Sequence, residues 1–408
     1  MAIISGFRGI RYNPERIENY DLVLAPPYDV INEQECEELH AKSPYNVIRL
    51  ILSKGDGDEK YSLASTTFND WLDRKILIRD EQSTIYPYFQ TFSDGGKQLT
   101  RKGFIARVKL EDFSDNVIFP HEKTFPKPKE DRLKLITASN TNFSPVFSVY
   151  SDPEHEIIND IESSLPETPL LSSTDKDGVL NYFWALSDRE LLKRITERFT
   201  SKQLLIADGH HRYETGLNYR DIRRSRIKES RTGNEPFEYI MMYLCSAEQS
   251  GLIVKPTHRL IGGLTDKQVD SLNNILNDKF ETENSKPDAE NMILKSTQFG
   301  FLSDRLDKFT RVTDTKTGDF KSEMGVINLH KYLLDEILRD SGILIKHTKS
   351  LDDLIQSLKN KTYQFGFVLP EINPVEILKI ARQNRKLPQK TTYFYPKALS
   401  GLVFNKLD

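Results

Sequence analysis

The run Leu204-Leu205-Ile206-Ala207-Asp208-Gly209-His210-His211-Arg212-Tyr213-Glu214-Thr215 restricts the fold more than any other stretch, because an apolar strand breaks at a glycine into polar residues that open a helix. Strand, tight turn and helix N-terminus in that order make an anion site. The first-turn N–H groups have no intrahelical partner and carry partial positive charge, and glycine lets the backbone pass close to a bound phosphate. Arg212 adds a planar fork suited to phosphate oxygens, and His210 and His211 can donate hydrogen bonds in either protonation state. Neighbouring helical side chains point about 100° apart, so the two histidines cannot share a zinc ion. The competing account is an Asp-Gly turn followed by a charged helix cap. Such a turn has no need of three cationic or proton-donating groups in succession.

With 408 residues, 38% of them hydrophobic, the chain has room for two or three domains with substantial cores. The formal net charge of -3 gives no global footprint for nucleic acid. Cys36 and Cys245 lie far apart, which implies a reducing compartment and no disulfide framework. The N-terminus meets charge at Arg8, and no run of about 18 apolar residues occurs, so a soluble, cytoplasmic protein without a membrane partner is expected.

Alternating periods mark an α+β region over 1–115, and the rest of the chain is expected to divide into a core over 116–260 and a C-terminal α+β region over 261–408. In the first, 46–52 and 84–92 read as strands, 59–77 as a helix and 104–110 as another strand. Ala25-Pro26-Pro27-Tyr28-Asp29-Val30 is an extended loop whose Tyr28 and Asp29 either contact a ligand or cap the next helix. Further along, a helix is expected to start near Glu130 and Asp131, and 146–150 reads as a strand. Between 151 and 200 a β-containing excursion leads to a helix over 188–199. The helix after the phosphate loop continues through Arg220, Arg223, Arg224 and Arg226, whose charges read as a solvated face. Later elements include 237–244 as strand or helix, helices at 266–277, 329–341 and 374–383, and a strand at 364–369.

His121-Glu122 begins like a metalloprotease helix but lacks the second histidine, since position 125 is Phe. What remains is a carboxylate on a rigid loop, able to accept a hydroxyl proton or simply to pair with Lys129 or Arg132. Lys390-Thr391-Thr392-Tyr393-Phe394-Tyr395-Pro396-Lys397 gathers hydroxyls, aromatics and two cations. It reads as a grip for a small zwitterion or phosphate, with a half-buried alternating strand as the other account. Thr257-His258-Arg259 carries the same ambiguity. No P-loop, dinucleotide glycine fingerprint or protein-kinase motif set is present.

Pro120-His121-Glu122, Asp208-Gly209-His210-His211-Arg212 and Pro388-Gln389-Lys390-Thr391-Thr392 resemble, in order and character, the motifs of the free serine kinases. Over nearly its whole length the chain also resembles a widespread family of unknown function with PPYDV, HExT, ADGHHRYE, PTHR and KTTYFYPK motifs. Some members of that family look like serine kinases that take inorganic pyrophosphate. The resemblance implies an α+β fold, a ParB/sulfiredoxin-like kinase core with an additional N-terminal α+β region, that phosphorylates free L-serine to O-phosphoserine. It implies Glu122 as catalytic base and Asp208 as the carboxylate near the phosphates and a Mg²⁺ ion. Gly209, His210, His211 and Arg212 would form the phosphate-binding turn, with His210 also catalytic. The basic stretch Lys123, Lys127, Lys129 and Arg132 would hold the rest of a pyrophosphate donor, with ADP or ATP as alternatives. His258, Lys390, Thr391, Thr392 and Tyr393 would fall on the serine side, His258 standing where the family has an aromatic. Two other readings use the same turn: a ParB-type nucleotide-responsive binding or regulatory module, which has no need of Glu122, and a sulfiredoxin-like reductase, which would want a thiolate where His210 stands.

Overall fold

A computed structural model describes residues 1–122, 126–227, 232–288, 290–320, 323–335, 342–388 and 390–408. The chain mixes helices and strands and separates into two units. One comprises Met1–Ile253, Leu378–Arg385 and Pro396–Asp408, and the other Val254–Ile377 and Lys386–Tyr395.

A nine-stranded sheet organises the first unit. Its order is Ile118–Pro120, Leu204–Asp208, Val146–Tyr150, Tyr239–Ser246, Lys97–Lys109, Tyr86–Asp94, Leu180–Phe183 and Leu171–Thr174, with Ile4–Ser5 also paired to Lys97–Lys109. Strands from 1–115 and from 116–260 therefore share one sheet. The Tyr86–Asp94 and Lys97–Lys109 hairpin turns at Gly95 and Gly96, both at positive φ (54° and 76°), as a tight two-residue connection requires. Tyr239–Ser246 is buried at every position because it lies inside the sheet, parallel to Val146–Tyr150 and antiparallel to Lys97–Lys109. That explains its uninterrupted apolar run. One sheet face packs Phe104, Ala106, Val146, Ile206, Met242 and Leu244 against Leu191, Ile195 and Phe199 of the Arg189–Phe199 helix. The i, i+4, i+8 spacing makes one apolar stripe, and Asp188 caps that helix by accepting from the Leu191 N–H at 2.7 Å.

The second unit is built on an antiparallel six-stranded sheet, ordered Phe280–Ser285, Phe309–Thr315, Phe299–Ser303, Phe365–Val368, His258–Gly262 and Leu344–Thr348. Helices Asp266–Lys279 and Leu351–Lys359 are capped by Thr265 and Ser350 side chains. Leu260, Leu302, Phe309, Leu354, Leu358 and Val368 form its core. Among the described residues no helix is long and apolar enough to cross a membrane.

Several elements depart from the sequence reading. The expected strand over 46–52 is the short helix Ile48–Ile51. Asn46 explains the difference: its Oδ1 accepts from the Ile48 N–H at 2.9 Å while its amide donates to the Leu22 carbonyl at 2.8 Å, which starts a helical turn where an apolar run alone is ambiguous. The helix expected from Glu130 starts at Pro126. Proline fits there because the first turn has no intrahelical use for its missing N–H. The 329–341 helix is Gly325–Leu329 running into a π-helical turn over His330–Leu334, and 336–341 lies outside the described residues. Asp29 is not a cap, since Asn32 caps Glu33–Lys42 by accepting from the Glu35 N–H at 2.9 Å. Nor is the arginine face simply solvated. Arg220 is buried and bonds the Leu110 carbonyl at 3.0 Å, and Arg224 pairs with the buried Glu238.

Candidate phosphate-binding site

The site lies within the first unit, where the Leu204–Asp208 strand meets the His210–Arg226 helix. The strand runs parallel to Ile118–Pro120 and antiparallel to Val146–Tyr150, with a register shift between Ile206 and Asp208 that re-aims the carboxylate. Gly209 follows at φ 89°, left-handed backbone that a side chain rarely adopts. A Cβ there would meet the Arg212 guanidinium at 2.8–2.9 Å. Glycine therefore both makes the turn and lets Arg212 fold back over it.

Arg212 donates from Nη2 to Asp208 Oδ2 at 2.6 Å and from Nη1 to the Pro145 carbonyl. Lys397 donates to the other Asp208 oxygen. Its position follows from the Pro396–Asp408 tail, which bridges Ala25 at Ser400 and Ile10 at Phe404 and pairs Asn405–Lys406 with Thr141–Asn142. Burial alone would push the Asp208 carboxyl up, but Lys397 and then Arg212 outweigh it and hold the group down at about 2. Asp29 is raised, by its surroundings first and then by the Asp208 charge, which places a second carboxylate in the same field.

His121 and His210 join the Glu122 loop to the turn. The His121 Nδ1 bonds the Ile206 carbonyl at 2.7 Å, so Nδ1 carries the proton and Nε2 the lone pair. Its backbone N–H donates to His210 Nε2 at 3.4 Å, which puts the His210 proton on Nδ1. The rings meet edge to face with centroids 4.7 Å apart. Burial lowers both imidazoles, His210 well below its ordinary value, so both are neutral near pH 7. His210 thus presents no positive charge to an anion; it braces the loop that carries Glu122. Glu122 lies at the end of the Ile118–Pro120 strand, with Oε1 3.8 Å from His121 Nε2.

The basic residues expected around a donor are differently employed. Lys129 pairs with Glu214 at 2.8 Å, not with Glu122. Every guanidinium nitrogen of Arg132 is engaged, by Asp131 and by the Ile51 carbonyl at 2.9 Å, and its carbon lies 4.1 Å from the centroid of the Tyr28 ring. Arg132 is therefore a support for Tyr28. Lys123 and the Lys127 side chain lie outside the described residues. His211 is partly exposed near Asp29, Glu214 and Lys129, with its imidazole lowered by partial burial. A small open cleft of about 50 Å³ beside Arg212 is lined by Tyr28, Arg132, Asn142, Ser144 and Thr215 among others.

His258, Lys390, Thr391, Thr392 and Tyr393 belong to the second unit. The buried His258 ring accepts from the Leu369 N–H at 3.1 Å, and burial followed by Arg259 takes it down to about 4. Thr391 is buried with its hydroxyl on the Pro388 carbonyl at 2.5 Å, whereas Lys390 is exposed at φ 53°. Thr392 and Tyr393 open the Thr392–Tyr395 strand. Sequence reasoning counts Lys397 as one of the two cations of the 390–397 segment but gives it no individual role. Its linear signal is the last position of the KTTYFYPK stretch, and nothing local says that it folds back onto Asp208.

Fold and site together define a mixed α/β protein with a glycine turn from strand to helix, an ion-paired carboxylate within it and the Glu122 carboxylate two residues beyond the neighbouring parallel strand. Residues 4–369 match the family described as "Protein of unknown function (DUF1015)", and the chain belongs to that family. No curated protein matches it. Among solved structures it is similar to a conserved hypothetical protein from Pyrococcus furiosus, at 14% identity over 71% of this chain and 90% of that one, with a TM-score of 0.37. A free serine kinase in complex with AMP gives 14% identity over 71% and 86% of the two chains, with a TM-score of 0.39. SbnI with a C-terminal truncation, from Staphylococcus aureus, gives 11% over 72% and 85%, with a TM-score of 0.38.

Proposed function

We propose that this chain is a phosphotransferase with a ParB/sulfiredoxin-like core. In this reading it moves a phosphoryl group to the hydroxyl of free L-serine from inorganic pyrophosphate, with ADP or ATP as alternative donors. The observation that carries the reading is Asp208 held between Arg212 and Lys397 at a glycine-turned helix start, with Glu122 at the end of the adjoining parallel strand.

Phosphoryl transfer asks a protein chiefly to align donor and acceptor and to stabilise charge on the equatorial oxygens. Donor oxygens would compete with Asp208 for Arg212 and Lys397, and the first-turn N–H groups of the His210–Arg226 helix would complete the cradle. The serine oxygen attacks phosphorus, its proton passes to Glu122, and the bond to the departing phosphate breaks; O-phosphoserine and phosphate leave, and Glu122 returns its proton to solvent. Among the described residues no group of three side chains could hold a metal ion. Mg²⁺ commonly takes one or two carboxylates and completes its shell from phosphates and water, so Asp208, with Asp29 in the same field, would hold it once a donor is bound. The ion would neutralise charge on the transferring group. The motif resemblance puts His258, Lys390, Thr391, Thr392 and Tyr393 on the acceptor side of the proposal; of these, the His258 ring and the Thr391 hydroxyl bond backbone groups of their own unit.

The test is a matrix of pyrophosphate, ADP and ATP against serine, threonine and homoserine with Mg²⁺, read by ³¹P NMR and mass spectrometry. Phosphoserine from at least one donor is the expected result. No phosphorylated amino acid in any cell of the matrix would end the reading.

A further inference from the structure

Arg101 is fully buried in the first unit, and its Nε and Nη1 have no hydrogen-bond partner. Its guanidinium lies 4.6 Å from the Phe147 ring centroid and 5.4 Å from that of Tyr243, and Phe147 is the strand partner of Asp208. Its one hydrogen bond runs from Nη2 to Gln90 Oε1. That bond settles the orientation of the Gln90 amide, because a guanidinium only donates and must face the oxygen. The Gln90 NH₂ is thereby turned away from Arg101. It donates to the Asn181 carbonyl oxygen and to the Lys397 backbone carbonyl, each at 3.0 Å. Asn181 is fixed in turn by the Tyr88 hydroxyl at 2.6 Å and by its own amide on the Val179 carbonyl at 2.9 Å. Tyr88 also receives the Leu399 N–H at 3.4 Å. Two residues of the C-terminal tail, Lys397 and Leu399, are thus tied to one buried polar network.

We infer that Arg101 and Gln90 are positioning residues that aim Lys397 at Asp208. Arg101 sets the polarity of the Gln90 amide, Gln90 pins the Lys397 carbonyl, and the pinned backbone points the ammonium at the carboxylate. A buried chain with one permitted direction is a rigid support in a low-dielectric interior. A lysine on an unsupported tail would sample many rotamers. Only the effect on phosphoryl transfer rests on the proposed function; the aiming of Lys397 is independent of it.

The experiment measures how fast Lys397 is acetylated by a water-soluble acylating reagent, mapped by mass spectrometry on the full chain. Lys202, which also donates to protein acceptors within this unit, is the internal reference. Gln90→Glu keeps an acceptor for Arg101 and so protects the fold, but it cannot donate to the Lys397 carbonyl; Gln90→Met removes both functions at similar size. Both variants should raise Lys397 acetylation about tenfold over Lys202, the loss of one buried hydrogen bond. If transfer activity exists, donor KM should rise more than kcat falls. Unchanged Lys397 reactivity in folded Gln90→Glu, or a rise matched by Lys202, would overturn the inference. Absence of activity in the wild type would end the functional reading while the acetylation result still decides this one.

Discussion

Lys397→Met tests the ion-paired core of the site most directly. The wild-type Asp208 carboxyl lies at about 2 against an ordinary 3.8, which corresponds to roughly 2 kcal/mol of preference for the charged form in the fold. Lys397 contributes more of that than Arg212 does, and the three side chains are only 11–14% exposed, so solvent screens them little. Removing the lysine should cost about 1–2 kcal/mol at pH 7, less than the 3–5 kcal/mol for stripping a buried charge of every partner, because Arg212 remains. The native carboxyl titrates below the unfolded one. Its stabilisation is therefore complete above about pH 4 and fades as pH falls towards 2, and the cost of Lys397→Met should fade in the same window.

The assay is a double-mutant cycle with Asp208→Asn, followed by urea unfolding. Trp71 and Trp184, the chain's two tryptophans, are both buried in the first unit, so intrinsic fluorescence reports the unit that contains the ion pair. A coupling energy of about 1–2 kcal/mol at pH 7 is expected. Coupling within about 0.3 kcal/mol of zero in folded variants would refute the reasoning, since it would mean that neither side chain senses the other.

Other consequences follow from neighbouring residues. Glu122→Gln should lower kcat about 10²- to 10⁴-fold with donor affinity and melting temperature retained, and near-wild-type turnover would remove Glu122 as base. Gly209→Ala puts a Cβ at φ 89° and against the Arg212 guanidinium; it should cost at least about 1 kcal/mol in urea unfolding and weaken phosphate binding measured by calorimetry. Arg132→Met should destabilise by about 1–3 kcal/mol and increase quenching of Tyr28-selective labels without abolishing phosphate binding, because the guanidinium supports Tyr28 and the Ile51 carbonyl. His258 should stay neutral on acidification until about pH 4, visible as imidazole shifts in NMR. A transition near 6.5 would show an exposed ring.

The elements legible in the sequence were those whose signal is local. The break at Asn142-Phe143-Ser144-Pro145 marked Val146–Tyr150, the 3.6-residue stripe marked Arg189–Phe199, and the break at Gly209 marked both the strand end and the helix start. The largely apolar run at 46–52 misled because a short, mostly buried segment satisfies strand and helix equally. Its deciding contact, the Asn46 amide on the Leu22 carbonyl, crosses 24 residues. Arg132 misled for a related reason: a basic residue beside a phosphate motif looks like a phosphate ligand until its nitrogens are seen to serve Asp131 and Ile51.

Lys397 shows where linear reading stops for the site itself. It lies 189 residues from Asp208 and 307 from Gln90, and no periodicity or motif spacing encodes either contact. What brings it home is the closing of the Pro396–Asp408 tail against strands from the opposite end of the chain, at Ile10, Ala25 and Thr141–Asn142. The glycine turn is written in five consecutive residues, whereas the lysine that pairs with its carboxylate is supplied by topology. Substitutions in the tail that leave every motif intact, such as Ser400→Val against the Ser144 hydroxyl at 2.7 Å, should therefore loosen Lys397 and weaken phosphate binding while the turn stays folded. Calorimetric binding equal to wild type in that variant would place the aiming of Lys397 wholly in the Arg101–Gln90 network and not in the tail.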